Sequence, residues 1–342
     1  MRILNRPTLK LSFLLFLLFF AFNPLFAQRT VTIKLASLVP ENTAWGQAIN
    51  RMAVEWARVT NGEVEVIVYH NGTAGDEGEV LRKLRLNQIQ AAIFTSLGIN
   101  AIMPEVMALS YPFLIRNDAE MEEVLRRLKP EMDARMQQSG FVTLAWARAG
   151  WIRLFTRTPV FTPDDLRRIR LCSSPDEQQM IQAFRVMGYQ IVPVNMTEIM
   201  VSLNSGMVDA TYISPIYAAA NQLFGIARNM SAINVAPFMG GILMNNTAWR
   251  RIPERHRPAL MDICRRLERE IEASIANLEA EAINTMVRYG LQINDLSQQQ
   301  MQVWYNDTAR YENNLIGGAT PIFHRDYYTR VRNILTEYRR GR

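Results

Sequence analysis

Pro163-Asp164-Asp165-Leu166-Arg167-Arg168-Ile169-Arg170-Leu171-Cys172 is followed by Val192-Pro193-Val194-Asn195-Met196-Thr197-Glu198 and by Asn204-Ser205-Gly206-Met207-Val208-Asp209. The order of these three segments decides the fold. Residues 169–172 form a short apolar run that carries one cation, Arg170, and read as a strand. Residues 177–187 read as a helix stopped by Gly188, and residues 188–194 as a second strand. Another helix opens at Thr197-Glu198-Ile199 and closes at Leu203 before a turn at Gly206, and residues 208–213 make a third strand that stops at Pro215. Strands alternating with short helices imply βαβ units, a mostly parallel sheet and a ligand site at the carboxyl ends of the strands.

The same alternation extends toward the N-terminus. Residues 31–36 and 64–69 read as strands joined by a helix over 43–60, whose Trp45, Ile49, Met52, Ala53 and Trp56 share one face. Gly72, Gly75 and Gly78 mark a loop that is not a phosphate cradle, because no Gly-Lys-Ser/Thr follows. A helix over 79–86, a strand over 91–96, a turn at 110–113 and a strand over 141–148 come next, the last crossing into a second lobe. Ala236-Pro237-Phe238 returns the chain to the first lobe, where residues 241–245 add a strand. Between Pro258 and the stop at Gly290 a helix of 32 residues is expected, about 48 Å long at 1.5 Å per residue, enough to span both lobes. A chain of 342 residues exceeds what one core supports, which also argues for two lobes with a cleft between them. The expected division is residues 28–148 with 237–275 in lobe I and 149–236 with 276–342 in lobe II.

Composition bounds the function. Apolar residues make up 49% and charged residues 20%, as in an ordinary globular protein. Arg2, Arg6 and Lys10 precede a 12-residue apolar run and Leu25-Phe26-Ala27, so residues 1–27 read as a cleavable export signal, too short to span a membrane. Without those three charges the net +6 falls to +3, and the arginines are scattered among acids, which excludes a nucleic-acid footprint. His70, His256 and His324 are isolated and neither cysteine has a CxxC partner, so no metal site, no cofactor and no catalytic triad is expected. An oxidising compartment permits a disulfide, yet Cys172 on a strand and Cys264 in the long helix lie about 90 residues apart and read as buried thiols.

The Asp-Leu, basic-apolar-Arg, Val-Pro-Val and Gly-x-Val-Asp order resembles the solute-binding proteins of TRAP transporters, the DctP family, and Trp45-Gly46, Thr60-Asn61-Gly62 and Trp249 extend the likeness over most of the chain. The resemblance implies an α/β, two-lobed periplasmic binding protein fold, each lobe a mixed sheet flanked by helices, with the long helix bridging them. It implies a periplasmic receptor that captures a small organic acid in a hinged cleft and passes it to the membrane symporter subunits of a TRAP transporter. The alternative it leaves open is a protein-interaction scaffold that docks a TPR-repeat periplasmic protein.

By the same resemblance Arg170 grips the ligand carboxylate; the other reading of Arg170 is an ion pair with Glu198 or Asp209. Arg153 is the nearest match to a second cation, but two residues separate it from Gly150 where one is usual, so it reaches the cleft or turns to the opposite face. Trp151, Asn195, Tyr212, Ser214, Phe238, Met239, Ser96 and Tyr111 complete the expected ligand-binding set. The chain departs from the family where two residues are missing between Asp165-Leu166 and Arg168-Ile169-Arg170, and where Leu171-Cys172 replaces Val-Pro. About half of Trp151, Phe155, Leu171, Tyr212, Ile213, Phe238 and Met239 are expected to face a greasier cleft, which implies an acid with an apolar tail.

Overall fold

The computed structural model describes residues 30–317 and 321–341; the export signal read at residues 1–27 lies outside them. The strands are β1 (Val31–Ala36), β2 (Val64–Tyr69), β3 (Ala91–Thr95), β4 (Phe141–Thr156), β5 (Arg170–Ser173), β6 (Gln190–Pro193), β7 (Ala210–Ile213), β8 (Asn229–Ser231), β9 (Ala236–Asn245) and β10 (Gln292–Asn294). In the first half of the chain the helices are α1 (Ala44–Val59), α2 (Glu77–Arg85), α3 (Ser96–Asn100), α4 (Asp118–Gln138), α5 (Pro163–Arg167) and α6 (Gln178–Val186). Then come α7 (Ile199–Asn204), α8 (Pro215–Ala220), α9 (Asn246–Arg251), α10 (Arg257–Arg288), α11 (Gln298–Arg310), α12 (Glu312–Ile316) and α13 (Arg325–Arg340).

The strand path β2-β1-β3-β9-β4-β7-β5-β6 joins two mixed sheets. In lobe I, β2, β1 and β3 run parallel and β9 pairs antiparallel with β3. In lobe II, β6, β5 and β7 run parallel. Strand β4 belongs to both sheets. Its first part pairs with β9 from Phe141↔Asn245 to Ile152↔Ala236, and its last four residues pair with β7 from Arg153↔Ile213 to Thr156↔Ala210. A register shift between Arg148 and Trp151 marks the crossover, and Gly150 there has φ +90°, a left-handed conformation that L side chains rarely adopt.

Local sequence explains these elements. Thr43 starts α1 by accepting the Gly46 N–H, and Ile49, Met52 and Trp56 line its buried face against Ile33, Leu35 and the long helix. Thr162 and Asp165 form a reciprocal capping box at α5. The 32-residue α10 packs on α1 in lobe I, on β4, and on α8 in lobe II. Leu260, Ile263, Leu267, Ile271, Ile275 and Met286 form its buried stripe. Cys172 and Cys264 are free and buried.

Helix α13 lies elsewhere than the expected division places it. It packs on α4 and the 3-10 turn Pro104–Ser110, both in lobe I, and buries Tyr327, Val331, Ile334 and Leu335 there. Two carboxylates of α4 hold it: Arg330 pairs with Glu131, and Arg339 with Glu120 at 2.7 Å. Arg339 Nε and Nη2 both donate to the buried Glu120 carboxylate, and the Arg116 N–H adds a third bond. Burial alone raises the Glu120 pKa, but these donors outweigh it and hold the carboxyl below its ordinary range. A depressed folded pKa contributes stability above the unfolded value and loses it as pH falls through the folded value. Glu120→Gln is therefore expected to lower the melting temperature near pH 7 by an amount that begins to shrink below about pH 4, where the unfolded chain takes up a proton that folded Glu120 resists, and vanishes once the folded carboxyl is protonated too. A difference that stays constant from pH 7 to pH 3 would show that the pair does not carry this pH dependence.

Candidate functional site

Parallel strands leave their carboxyl ends along one edge of each lobe, and the two edges meet at a cavity of ≈ 50 Å³. Lobe I contributes Ser96 and Leu97, just after β3, with Met107 and Ser110 from the 3-10 turn. The crossing strands give Ile152 and Phe238. Lobe II contributes the ends of β5 and β7 and the residues that follow β6, among them Cys172, Ser173, Tyr212 and Val194. A wider recess of ≈ 330 Å³ lies between Arg85, Gly140, Asn246 and Arg250. That recess sits at the start of β4 and the end of β9, far from the meeting of the strand ends, and we place the site in the smaller cavity for that reason.

Of the ten side chains expected at the ligand, Tyr212, Phe238 and Ser96 line this cavity. Arg170 does not. It is the first residue of β5, the end of the strand away from the cleft, about 10 Å along the strand from Ser173. Its side chain is 45% exposed and forks onto Asp209, Nε to Oδ2 at 2.8 Å and Nη2 to Oδ1 at 3.0 Å. The cause is register. With two residues missing ahead of the strand, the cation is held back two positions, and the residue two further along the same face is Cys172, which lines the cavity. Arg170→Ala is expected to leave solute affinity within twofold of wild type and to lower the melting temperature only slightly. A titration showing a loss of tenfold or more would return Arg170 to the site.

Arg153 is the second displaced cation. The extra residue after Gly150 puts Ile152 at the cavity and turns Arg153 to the other face of β4, where Nη2 meets Glu279 at 3.2 Å and Nη1 meets the Ala232 carbonyl at 3.1 Å. Trp151 is buried with its indole N–H on Asp118, and Met239 is core. Tyr111 packs edge-on against Phe323 and tilted against Tyr328 of α13. Ser214 caps α8 by accepting the Tyr217 N–H, and Asn195 is exposed beside Glu198. Among the apolar positions, Tyr212, Ile213 and Phe238 reach the cavity, while Trp151, Phe155, Leu171 and Met239 are buried in the core.

The polar centre of the cavity is Glu177, which the sequence places only as the first residue of the helix over 177–187. It sits at the N-cap of α6, yet its side chain caps nothing there. Its Oε2 instead accepts from Ser173 Oγ at 2.8 Å, from the Tyr212 hydroxyl and from the Ser174 N–H. Ser173 Oγ and Tyr212 OH are also within 2.7 Å of each other. Burial raises the Glu177 pKa, against the pull of the Tyr212 and Ser173 hydrogen bonds. Burial likewise pushes the Cys172 thiol up to about 11, so it stays a thiol at neutral pH. Ser110 Oγ, buried on the lobe I wall, has no hydrogen-bond partner. No lysine, arginine or histidine is among the described residues that line the cavity.

Residues 35–315 match the family described as bacterial extracellular solute-binding protein, family 7, DctP. The chain belongs to the DctP family. Among its relatives, a solute-binding protein of Chromohalobacter salexigens is 25% identical over 287 residues, covering 81% of this chain and 84% of that protein. The 2,3-diketo-L-gulonate-binding periplasmic protein YiaO of Escherichia coli is 28% identical over 155 residues, 44% of this chain and 46% of its own. A TRAP periplasmic solute binding protein from Sulfurospirillum deleyianum with bound succinate superposes with TM-score 0.79 at 20% identity, covering 89% of this chain and 98% of that one. Another from Pseudomonas putida F1 with bound D-glucuronate gives TM-score 0.78 at 17% identity, with 90% and 96% covered. At those identities the superpositions establish the two-lobed fold of this DctP-family chain. Among its described residues no helix is long and apolar enough to cross a membrane, and no cluster of His, Cys, Asp and Glu could hold a metal ion.

Proposed function

We propose that this DctP-family chain is a periplasmic solute receptor that captures a small organic acid with an apolar portion between its lobes and delivers it to the membrane subunits of a TRAP-type secondary transporter. The observation that carries this reading is the cavity where both lobes bring together the carboxyl ends of their parallel strands, walled by Met107, Ile152, Met180 and Phe238 around one polar cluster. The acids named for the related proteins, 2,3-diketo-L-gulonate, succinate and D-glucuronate, support the acid class. The apolar walls support a tail. At ≈ 50 Å³ the cavity holds little more than water, so a solute enters by parting of the lobes. Catalysis finds no support: burial holds the cavity thiol protonated, and the neighbouring Glu177 carboxyl raises its pKa further. The division into lobes that we propose is the sequence-based one with α13 moved to lobe I.

The test is ligand identification. Protein purified from its native export pathway is denatured, and the released small molecules are identified by mass spectrometry. An organic acid with an apolar chain is expected; a sugar acid or short dicarboxylate as the sole cargo overturns the apolar-tail assignment, and a non-acidic cargo overturns the acid class.

A further inference from the structure

The two places where a carboxylate-gripping cation is expected are occupied by Ile152 and Cys172, so among the described residues that line the cavity an acid meets no guanidinium. It meets another carboxyl group. An ionised acid beside an ionised Glu177 would set two like charges in a site walled mainly by apolar side chains, which is strongly unfavourable. The arrangement of Glu177 offers a way out. Among the described residues its three partners all donate to Oε2, which leaves Oε1 without one and able to carry a proton. Across the cleft, the buried Ser110 Oγ lacks a partner and is a second donor to whatever fills the cavity.

We propose that the cleft binds an apolar monocarboxylate together with one proton, which Glu177 Oε1 and the solute carboxylate share. The inference rests on the receptor reading above and adds the ionisation state in which the cargo is held. The proton comes from solvent, no covalent bond changes, and the pair carries one negative charge in place of two. Tyr212 and Ser173 keep Oε2 supplied with donors and so orient Oε1. The charged and titratable groups that face Glu177 are Asp176 beside it, Cys172 on β5 and Tyr212 on β7. Asp176 in turn faces Glu77 of lobe I, whose carboxyl burial lifts to about 7 against the Thr95 and Gly98 donors. None of these groups is a cation. Burial already raises the pKa of Glu177 before any acid arrives, in the direction the sharing requires.

The experiment uses hexanoate as the probe, with hexylammonium as its charge-reversed control, titrated calorimetrically into the full mature protein from pH 6 to pH 9 in two buffers of different ionisation enthalpy. For the wild type, hexanoate is expected to take up about one proton per molecule bound at the alkaline end, with affinity falling about tenfold per pH unit there. Glu177→Gln, whose amide donates without titrating, is expected to bind hexanoate with a flat pH profile and no proton uptake. Wild-type binding without proton uptake, an unchanged slope in Glu177→Gln, or tighter binding of hexylammonium than of hexanoate overturns the shared proton. The wild-type proton count decides the question even if the variant fails to fold. Failure of hexanoate to bind at any pH removes the apolar-acid reading of the cleft, and the shared proton with it, whereas binding without uptake removes the shared proton alone.

Discussion

Glu279→Ala is expected to lower the stability of this protein by about 3–5 kcal/mol, a fall of roughly 10 °C in melting temperature. Glu279 lies in the second half of α10 and is buried against the crossover of β4. Its Oε2 accepts the Trp151 N–H at 2.9 Å, and its Oε1 accepts from Arg153 Nη2 at 3.2 Å. Removing the carboxylate leaves the largely buried Arg153 guanidinium without its counter-charge, and the buried Trp151 N–H without an acceptor. Both are costly in an interior. Burial raises the Glu279 pKa while the Trp151 N–H and Arg153 pull the other way, so the pair is a constraint on geometry more than a source of net energy. Gly150 belongs to the same constraint. A β-carbon there would stand 2.4 Å from Glu279 Oε2, and its φ of +90° already disfavours a side chain. Gly150→Ala is thus expected to destabilise through the same carboxylate. Thermal melts of the two single variants and the double variant check this: full additivity would show that the positions do not act through one contact.

The position of this clamp matters for function because β4 and α10 are elements that pass between the lobes. Glu272, two turns before Glu279, pairs with the buried Arg148, which also holds Asp118 at the start of α4. The long helix therefore grips the crossing strand on both sides of the Arg148–Trp151 register shift, where the two sheets diverge. Any parting of the lobes that admits a solute must flex the chain at this junction or beside it.

Much of this architecture was legible in the sequence because it rests on periodicity and punctuation. The spacing of Leu260, Ile263, Leu267, Ile271 and Ile275 and the stops at Pro258 and Gly290 gave the long helix within a residue of Arg257–Arg288. The βαβ order around Gly188 and Gly206 gave the parallel strands of lobe II. The site was less legible, and for a different reason. Strand side chains change face with every residue, so a one-residue insertion after Gly150 exchanges Arg153 for Ile152 at the cleft, whereas a two-residue deletion before β5 keeps the face and moves the cation two positions back along the strand, leaving Cys172 at the cleft. The spacing differences were visible, but which end of the strand absorbs them is set by tertiary packing. The Arg170–Asp209 pair was one of the two readings open at the start, and the bidentate geometry is what decides it. Glu177 carries no signal of its own in the sequence, which shows it only as an acid at the start of a helix, where acids are common. Only the three-dimensional neighbourhood of Ser173 and Tyr212 shows that this one is turned inward.

The second large effect is expected from Cys172→Arg, which puts a guanidinium at the cleft end of β5. Cys172 lines the cavity on the same wall as Ser173 and Glu177, so the new cation would lie within reach of the Glu177 carboxyl. A charge-assisted pair between them would ionise Glu177, end its capacity to carry a proton, and occupy a cavity of ≈ 50 Å³ with a bulkier side chain. Binding of an apolar monocarboxylate such as hexanoate should weaken by 100-fold or more, about 2.7 kcal/mol, and what binding survives should no longer depend on pH. A short dicarboxylate such as succinate is the informative competitor. One of its carboxylates can meet the new guanidinium while Glu177 is displaced, so its affinity should rise relative to hexanoate. Isothermal titration of both acids against the wild type and the variant measures this. If the preference for hexanoate over succinate is unchanged in Cys172→Arg, the chemistry at the end of β5 does not select the solute.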